Sequence, residues 1–103
     1  MQTITKDELK KNIDSKEPVQ VVNVLSPDYY HLGFIKGSKR IPVSELSERS
    51  KELDNSKKVV TYCASQDCHA SLDAARILES KGFKVEAYEG GIKEWKEAGF
   101  PTE

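Results

Sequence analysis

Long apolar runs are missing from this 103-residue chain; the longest last only a few residues, too short to span a bilayer. A basic excess is missing as well. Sixteen Lys and Arg stand against 17 Asp and Glu, a formal charge of −1, so nothing marks a nucleic-acid binder and no charge block marks a tail. The opening Met1-Gln2-Thr3-Ile4-Thr5-Lys6-Asp7-Glu8 is polar and lacks the apolar region of a signal peptide, so a cytoplasmic location is expected. Cysteine is scarce, with two in the chain; without a secretion signal these are expected to be reduced thiols and not a structural disulfide. There is no internal repeat, low-complexity segment or linker, and the six glycines and four prolines are spread out as punctuation. What is present is an apolar fraction of 37% and a charged fraction of 32%, the balance of a soluble globular protein. At this length one domain over residues 1–103 with a modest core is expected.

The pattern along the chain alternates. Gln2 to Ile4 is a candidate edge strand. Thr5-Lys6-Asp7-Glu8 reads as a capping box, with Ile4 and Leu9 at the staple positions across it and a helix running to about Ile13. Val19 to Leu25 is β-branched and nearly all apolar, as in a strand covered on both faces. Ser26-Pro27-Asp28 starts a short helix that stops at Gly33. Turn residues 34–38, a brief strand at Lys39 to Ile41 and a helix from Val43 to about Ser50 follow. Val59 to Tyr62 is the next strand, about Ala70 to Lys81 a helix with Leu72, Ala75 and Leu78 inward and Ala74 and Ile77 beside them, and Phe83 to Tyr88 the last strand. Gly90-Gly91 turns into a final helix carrying Ile92, Trp95 and Ala98. Tyr29, Tyr30, Trp95 and Phe100 are expected to cap the core, and His31 to be solvated. Strands alternating with helices imply a mainly parallel sheet, and ligands of such sheets bind beyond the carboxyl ends of the strands.

Cys63 occupies such an end. It follows the Val59–Tyr62 strand and precedes the polar loop Ala64-Ser65-Gln66-Asp67-Cys68-His69, which feeds a helix. A thiol near pKa ~8.5 is a weak nucleophile until ionised, and a helix N-terminus favours the ionised form. The loop has the length to curl around Cys63 and present backbone N–H groups to a thiolate, a persulfide or an oxyanion. A cysteine at a strand end is also a common packing residue, and both readings stand on periodicity alone.

Five motifs then add up in order and spacing: Gly33-Phe34-Ile35-Lys36-Gly37-Ser38 with Ile41-Pro42; Val59-Val60-Thr61-Tyr62-Cys63; Ala74-Ala75 with Leu78; Gly82-Phe83; and Gly90-Gly91-Ile92 with Trp95. Together they resemble the single-domain rhodanese family, whose fold certain dual-specificity phosphatases share. The resemblance covers essentially the whole chain. It implies an α/β fold, a three-layer α/β/α sandwich with a mainly parallel sheet of about five strands. It implies a sulfurtransferase or persulfide carrier in which Cys63 accepts sulfane sulfur and passes it to a thiophilic acceptor. Ala64, Ser65, Gln66, Asp67, Cys68 and His69 would form the sulfur-cradling loop. No cofactor and no metal are implied, because the thiol itself carries the sulfur. The partners implied are a small sulfur donor or acceptor or a partner protein, with oligomeric state open. The alternative is a non-catalytic rhodanese-like binding or redox-sensing module.

The chain departs from the family pattern in places that matter. Asn23-Val24-Leu25 stands where Asp-x-Arg is frequent, Phe34 where histidine is usual, and Gln66 where the loop often has glycine. Cys68 falls near a position often basic or hydroxylic, and Ser71 comes later than the family's serine, so the loop is longer. No Lys or Arg occurs from Cys63 to Leu72, a poor complement to a thiosulfate dianion; polysulfide or a persulfide is the expected donor. Phosphatase chemistry needs an arginine clamp six residues after the nucleophile, where His69 stands. Cys63, Cys68 and His69 lack a fourth ligand other than His31 or a carboxylate, and zinc is not expected. Cys68 reads either as a resolving thiol that attacks a persulfide on Cys63 or as a small packing residue.

Overall fold

The computed structural model describes residues 2–16, 18–65 and 67–103. Its elements follow the alternating pattern: β1 (Gln2–Thr3), α1 (Lys6–Asp14), β2 (Val19–Asn23), β3 (Lys39–Arg40), α2 (Val43–Arg49), β4 (Lys58–Tyr62), α3 (Ala70–Ser80), β5 (Val85–Tyr88) and α4 (Gly91–Glu97). Short 3₁₀ turns occupy Pro27–Leu32 and Ser50–Glu52. The five strands form one sheet in the order β1-β5-β4-β2-β3, every pair parallel. β4 is central, with Val21 level with Val60 on one side and Val60 level with Glu86 on the other.

Side chains of β4 alternate between two cores, as the two-residue period of a strand requires. Val59 and Cys63 enter a cluster with Leu46 of α2 and Ala74, Ala75 and Leu78 of α3. Val60 and Tyr62 enter the other, with Leu9 of α1 and Ile92 and Trp95 of α4. Helices on both faces of a parallel sheet make the three-layer α/β/α sandwich.

Element edges shift by a residue or two where backbone pairing decides them. The second strand ends at Asn23 and not Leu25, although Val24 still donates to the Tyr62 carbonyl at 3.1 Å and its own carbonyl accepts from Val43 at 3.1 Å. The last strand begins at Val85 because Gly82, at φ +92°, and Phe83 are spent closing α3: their N–H groups donate to the carbonyls of Glu79 (3.0 Å) and Leu78 (3.1 Å). The capping box is present, Thr5 Oγ1 accepting from the Glu8 N–H at 3.2 Å and the Glu8 carboxylate from the Thr5 N–H at 3.2 Å. Ile4 and Leu9 both bury beside it. On α3, Ser71 takes an inward position while Leu72 is only partly buried.

Of the four aromatic residues expected to cap the core, Tyr29 does not: it is 51% exposed. The 3₁₀ turn has three residues per turn, so its faces drift from the helical pattern assumed for this segment. Trp95 is buried, its indole N–H donating to the Pro101 carbonyl at 2.8 Å, and Phe100 packs edge-on against it. His31 is exposed. No helix among the described residues is long and apolar enough to cross a membrane.

Candidate active site

Cys63 leaves the carboxyl end of the central strand with no exposed surface. Two elements hold it. Gly91 starts α4 at φ +69°, and the N–H groups of Ile92 and Lys93 donate to the carbonyls of Cys63 (2.9 Å) and Ala64 (3.0 Å). These N–H groups belong to the first turn of a helix, where no intrahelical partner exists, so the loop supplies their acceptors. A Cβ on Gly91 would lie 2.6 Å from the Cys63 carbonyl oxygen and the Ala64 carbonyl carbon, which is why this position takes only glycine. On the other side, Thr61 Oγ1 donates to the Ser71 carbonyl at 2.8 Å, tying the start of α3 to β4.

The loop itself is shaped differently from the expected N–H cradle. The Cys68 N–H turns inward to the Ser65 carbonyl at 3.0 Å, and the Cys63 thiol donates to the Cys68 carbonyl at 3.3 Å. A carbonyl facing the thiol favours S–H over S⁻. The expected lowering of the Cys63 pKa is therefore corrected: burial first, and then the neighbouring Cys68 side chain, push it from an ordinary 9.0 up to about 11. What opposes this shift is Ser71, through its backbone N–H and its hydroxyl. Ser71 is the second residue of α3, so its N–H is one of the helix's unpaired donors. Its buried Oγ has no hydrogen-bond partner among the described residues.

The structure brings Cys63, Ala64, Ser65 and Cys68 together, the last three half-buried. Asp67 and His69 are exposed; His69 caps α3 by position but makes no side-chain capping bond. Gln66 lies outside the described residues. Val24, Leu25, Tyr29, Val43, Ala64, Cys68 and their neighbours line an open, mostly apolar groove of about 480 Å³, which Cys63 does not reach. Asp67 is the charged residue among its lining groups.

Ser71 was missed as a site residue by sequence reasoning, which noted only its displacement along the loop. Its signal was the buried polar residue in an otherwise apolar stripe at i, i+3, i+4, i+7.

The departures elsewhere have structural reasons. Tyr62, next to Cys63 but on the opposite face, places its hydroxyl where the Ile35 N–H (3.0 Å), Asn23 Nδ2 (3.3 Å) and Ser38 Oγ (2.8 Å) converge. Asn23 Oδ1 in turn accepts from the Leu25 N–H at 2.9 Å. Burial pushes the Tyr62 phenol up, so it stays neutral, and a neutral amide suits it at a fully buried position. Phe34 is covered by the Arg40 guanidinium, 3.7 Å from the ring centroid, and its segment pairs with the C-terminal residues through a Phe34–Glu103 bond pair of 3.0 and 2.9 Å.

A doubly covered parallel sheet with a thiol-bearing loop between its central strand and the next helix defines an α/β sandwich domain with a cysteine site. A family model described as Rhodanese-like domain matches residues 5–98, and the chain belongs to that family. A rhodanese-related protein of Thermoplasma volcanium superposes with a TM-score of 0.86 at 33% identity, covering 100% of this chain and 98% of that one. Over 97% of its length the chain is 35% identical to the HTH-type transcriptional regulator Rv0324 of Mycobacterium tuberculosis, of which it spans 44%. It is 27% identical to "Putative sulfurtransferase YtwF" of Bacillus subtilis, covering 85% of this chain and 84% of that protein.

Proposed function

We propose that this protein is a sulfurtransferase or sulfane-sulfur carrier in which Cys63 accepts sulfur as a persulfide and passes it to a thiophilic acceptor. The observation that carries the reading is the position of Cys63 at the carboxyl end of β4, under the N-terminus of α3, within the rhodanese-like match. The name of the B. subtilis relative supports the same activity. Ala64, Ser65 and Cys68, with the more exposed Asp67 and His69, form the rim of the site, and no cofactor is required. Asp67 in the groove and no Lys or Arg from Cys63 to Leu72 favour polysulfide or a persulfide over thiosulfate as donor. The second thiol gives this loop a way to discharge. Cys68 as thiolate attacks the inner sulfur of the Cys63 persulfide, the S–S bond breaks, and the outer sulfur leaves as hydrosulfide. Two thiols are thereby oxidised to a Cys63–Cys68 disulfide, which an external thiol reduces. Free cysteines in this role fit a reducing compartment, the cytoplasm.

Intact-mass measurement after incubation with polysulfide, and separately with thiosulfate, tests the reading. A gain of one sulfur from polysulfide is expected, located on the Cys63 peptide by mapping and absent when Cys63→Ala is combined with Cys68→Ser, with little or none from thiosulfate. If Cys68→Ser discharges its persulfide at the wild-type rate without added thiol, the resolving role of Cys68 is wrong.

A second reading, a non-catalytic binding or redox-sensing module, is favoured by the complete burial of Cys63 and its raised pKa. That the matched segment forms under half of a transcriptional regulator in one relative fits it too. No sulfur adduct from any donor on a folded protein would select this reading.

A further inference from the structure

The two thiols differ in access, and access is the first condition for exchange with a donor in solution. Cys63 has no exposed surface and lies off the groove; Cys68 is half-buried and lines it. The two residues are in direct contact, with the Cys63 thiol donating to the Cys68 carbonyl at 3.3 Å. The groove walls around Cys68 are Val24, Leu25, Tyr29 and Val43, and Asp67 supplies the charge at its edge. Lys93 lines the depression on the far side of the loop, together with Asp67, Glu94 and Glu97. The apolar walls suit a sulfur chain and offer no cation to hold the oxo groups of thiosulfate.

We propose that sulfur enters through Cys68, which takes it from a persulfide or polysulfide in the apolar groove and hands it inward to Cys63. The inference rests on the sulfurtransferase reading above and adds a catalytic residue and an order of events. In the first step the Cys68 thiolate attacks the sulfane sulfur of R–S–SH. The donor S–S bond breaks, R–S⁻ leaves, and Cys68–S–SH forms. In the second, the Cys63 sulfur attacks the outer sulfur of that persulfide. The Cys68 S–S bond breaks, and the proton given up by Cys63 ends on the departing Cys68 sulfur. The sulfane sulfur keeps its oxidation state throughout, so no oxidant or reductant is consumed. This order removes the difficulty of a buried Cys63 meeting a bulky donor directly: in the loading step it reacts with a residue it already touches.

The test uses the full chain, glutathione persulfide as bulky donor and inorganic tetrasulfide as small donor. Time-resolved intact mass and peptide mapping locate the added sulfur. Cys63→Ser is expected to take up sulfur on Cys68 at the initial wild-type rate and to hold it there. Cys68→Ser and Cys68→Ala, with circular dichroism verifying their fold, are expected to load Cys63 from glutathione persulfide about tenfold more slowly or worse, because exchange rates follow access. The loss with tetrasulfide is expected to be smaller. Wild-type loading rates in both Cys68 variants would overturn entry through Cys68 while leaving the sulfurtransferase reading intact, as would a Cys63→Ser protein that takes up no sulfur. A wild-type protein that never carries sulfur on Cys63 overturns both.

Discussion

Tyr62 and Cys63 are adjacent on one strand, yet their surroundings are opposite in kind. The Tyr62 hydroxyl meets three partners, and Asn23 behind it is bonded at both ends of its amide. Cys63 faces one carbonyl acceptor, and the Ser71 hydroxyl beside it has no partner among the described residues. A saturated buried network fixes one arrangement, because any movement strands a polar group in a low-dielectric interior. Around Cys63 the Ser71 N–H and hydroxyl favour the thiolate, against burial and the Cys68 side chain. The first residue anchors the sheet end; the second is a buried thiol with a single hydrogen-bond acceptor. On the proposed function, stability and reactivity are divided between the two faces of the same strand.

The largest disturbance is expected where the anchor meets the loop. Gly91→Ala places a Cβ 2.6 Å from backbone atoms at φ +69°, with no flexible side chain to yield. A loss of about 3 kcal/mol or more is expected from combined overpacking and backbone strain, read as a fall in the urea midpoint. Tyr62→Phe comes next. It leaves Asn23 Nδ2, the Ile35 N–H and Ser38 Oγ without their shared partner, at a cost of about 2 kcal/mol in equilibrium unfolding.

The Cys63 side responds to pH instead. With its pKa pushed up to about 11, its alkylation by iodoacetamide is expected to rise about tenfold per pH unit from neutrality and to level off near that value. The sign for stability follows from the same shift. The folded thiol ionises later than an unfolded one near 9.0, so its contribution is complete below about pH 9 and is lost as pH rises through about 11. Cys63→Ser removes that part of the alkaline slope in unfolding measured across this window. The smallest effect on stability belongs to Ser71→Ala, within about 0.5 kcal/mol, because no regular hydrogen bond is lost. The same change is expected to move the Cys63 alkylation midpoint upward, since a group that favours the thiolate is gone. A Ser71→Ala cost equal to that of Tyr62→Phe would erase the contrast between the two faces.

Much of this arrangement was legible in the residues. β-branched runs, the Thr5–Glu8 capping box and the helical stripe after Ala70 depend on local propensity and periodicity, which neighbouring residues express directly. Boundaries such as Asn23 against Leu25 were less legible, because a strand ends where its partner's hydrogen bonds end. Tyr29 was misread as a core residue since a 3₁₀ turn and an α-turn carry the same residues on different faces.

By itself the sequence determined the alternation of strands and helices, the placement of Cys63 at a strand exit and the lack of cations in its loop. These are properties of residue type and order. The tertiary structure alone decided which way the loop's polar groups point. Cys68 turns its N–H to Ser65 and its carbonyl to Cys63, and Ser71 comes to rest beside the sulfur. Those orientations arise from long-range ties, of Ile92 and Lys93 to the loop carbonyls and of Thr61 to Ser71, that no local pattern encodes. The reactivity of a thiol is set by such orientations and by burial, which is why a site placed by sequence received its charge state only from the fold.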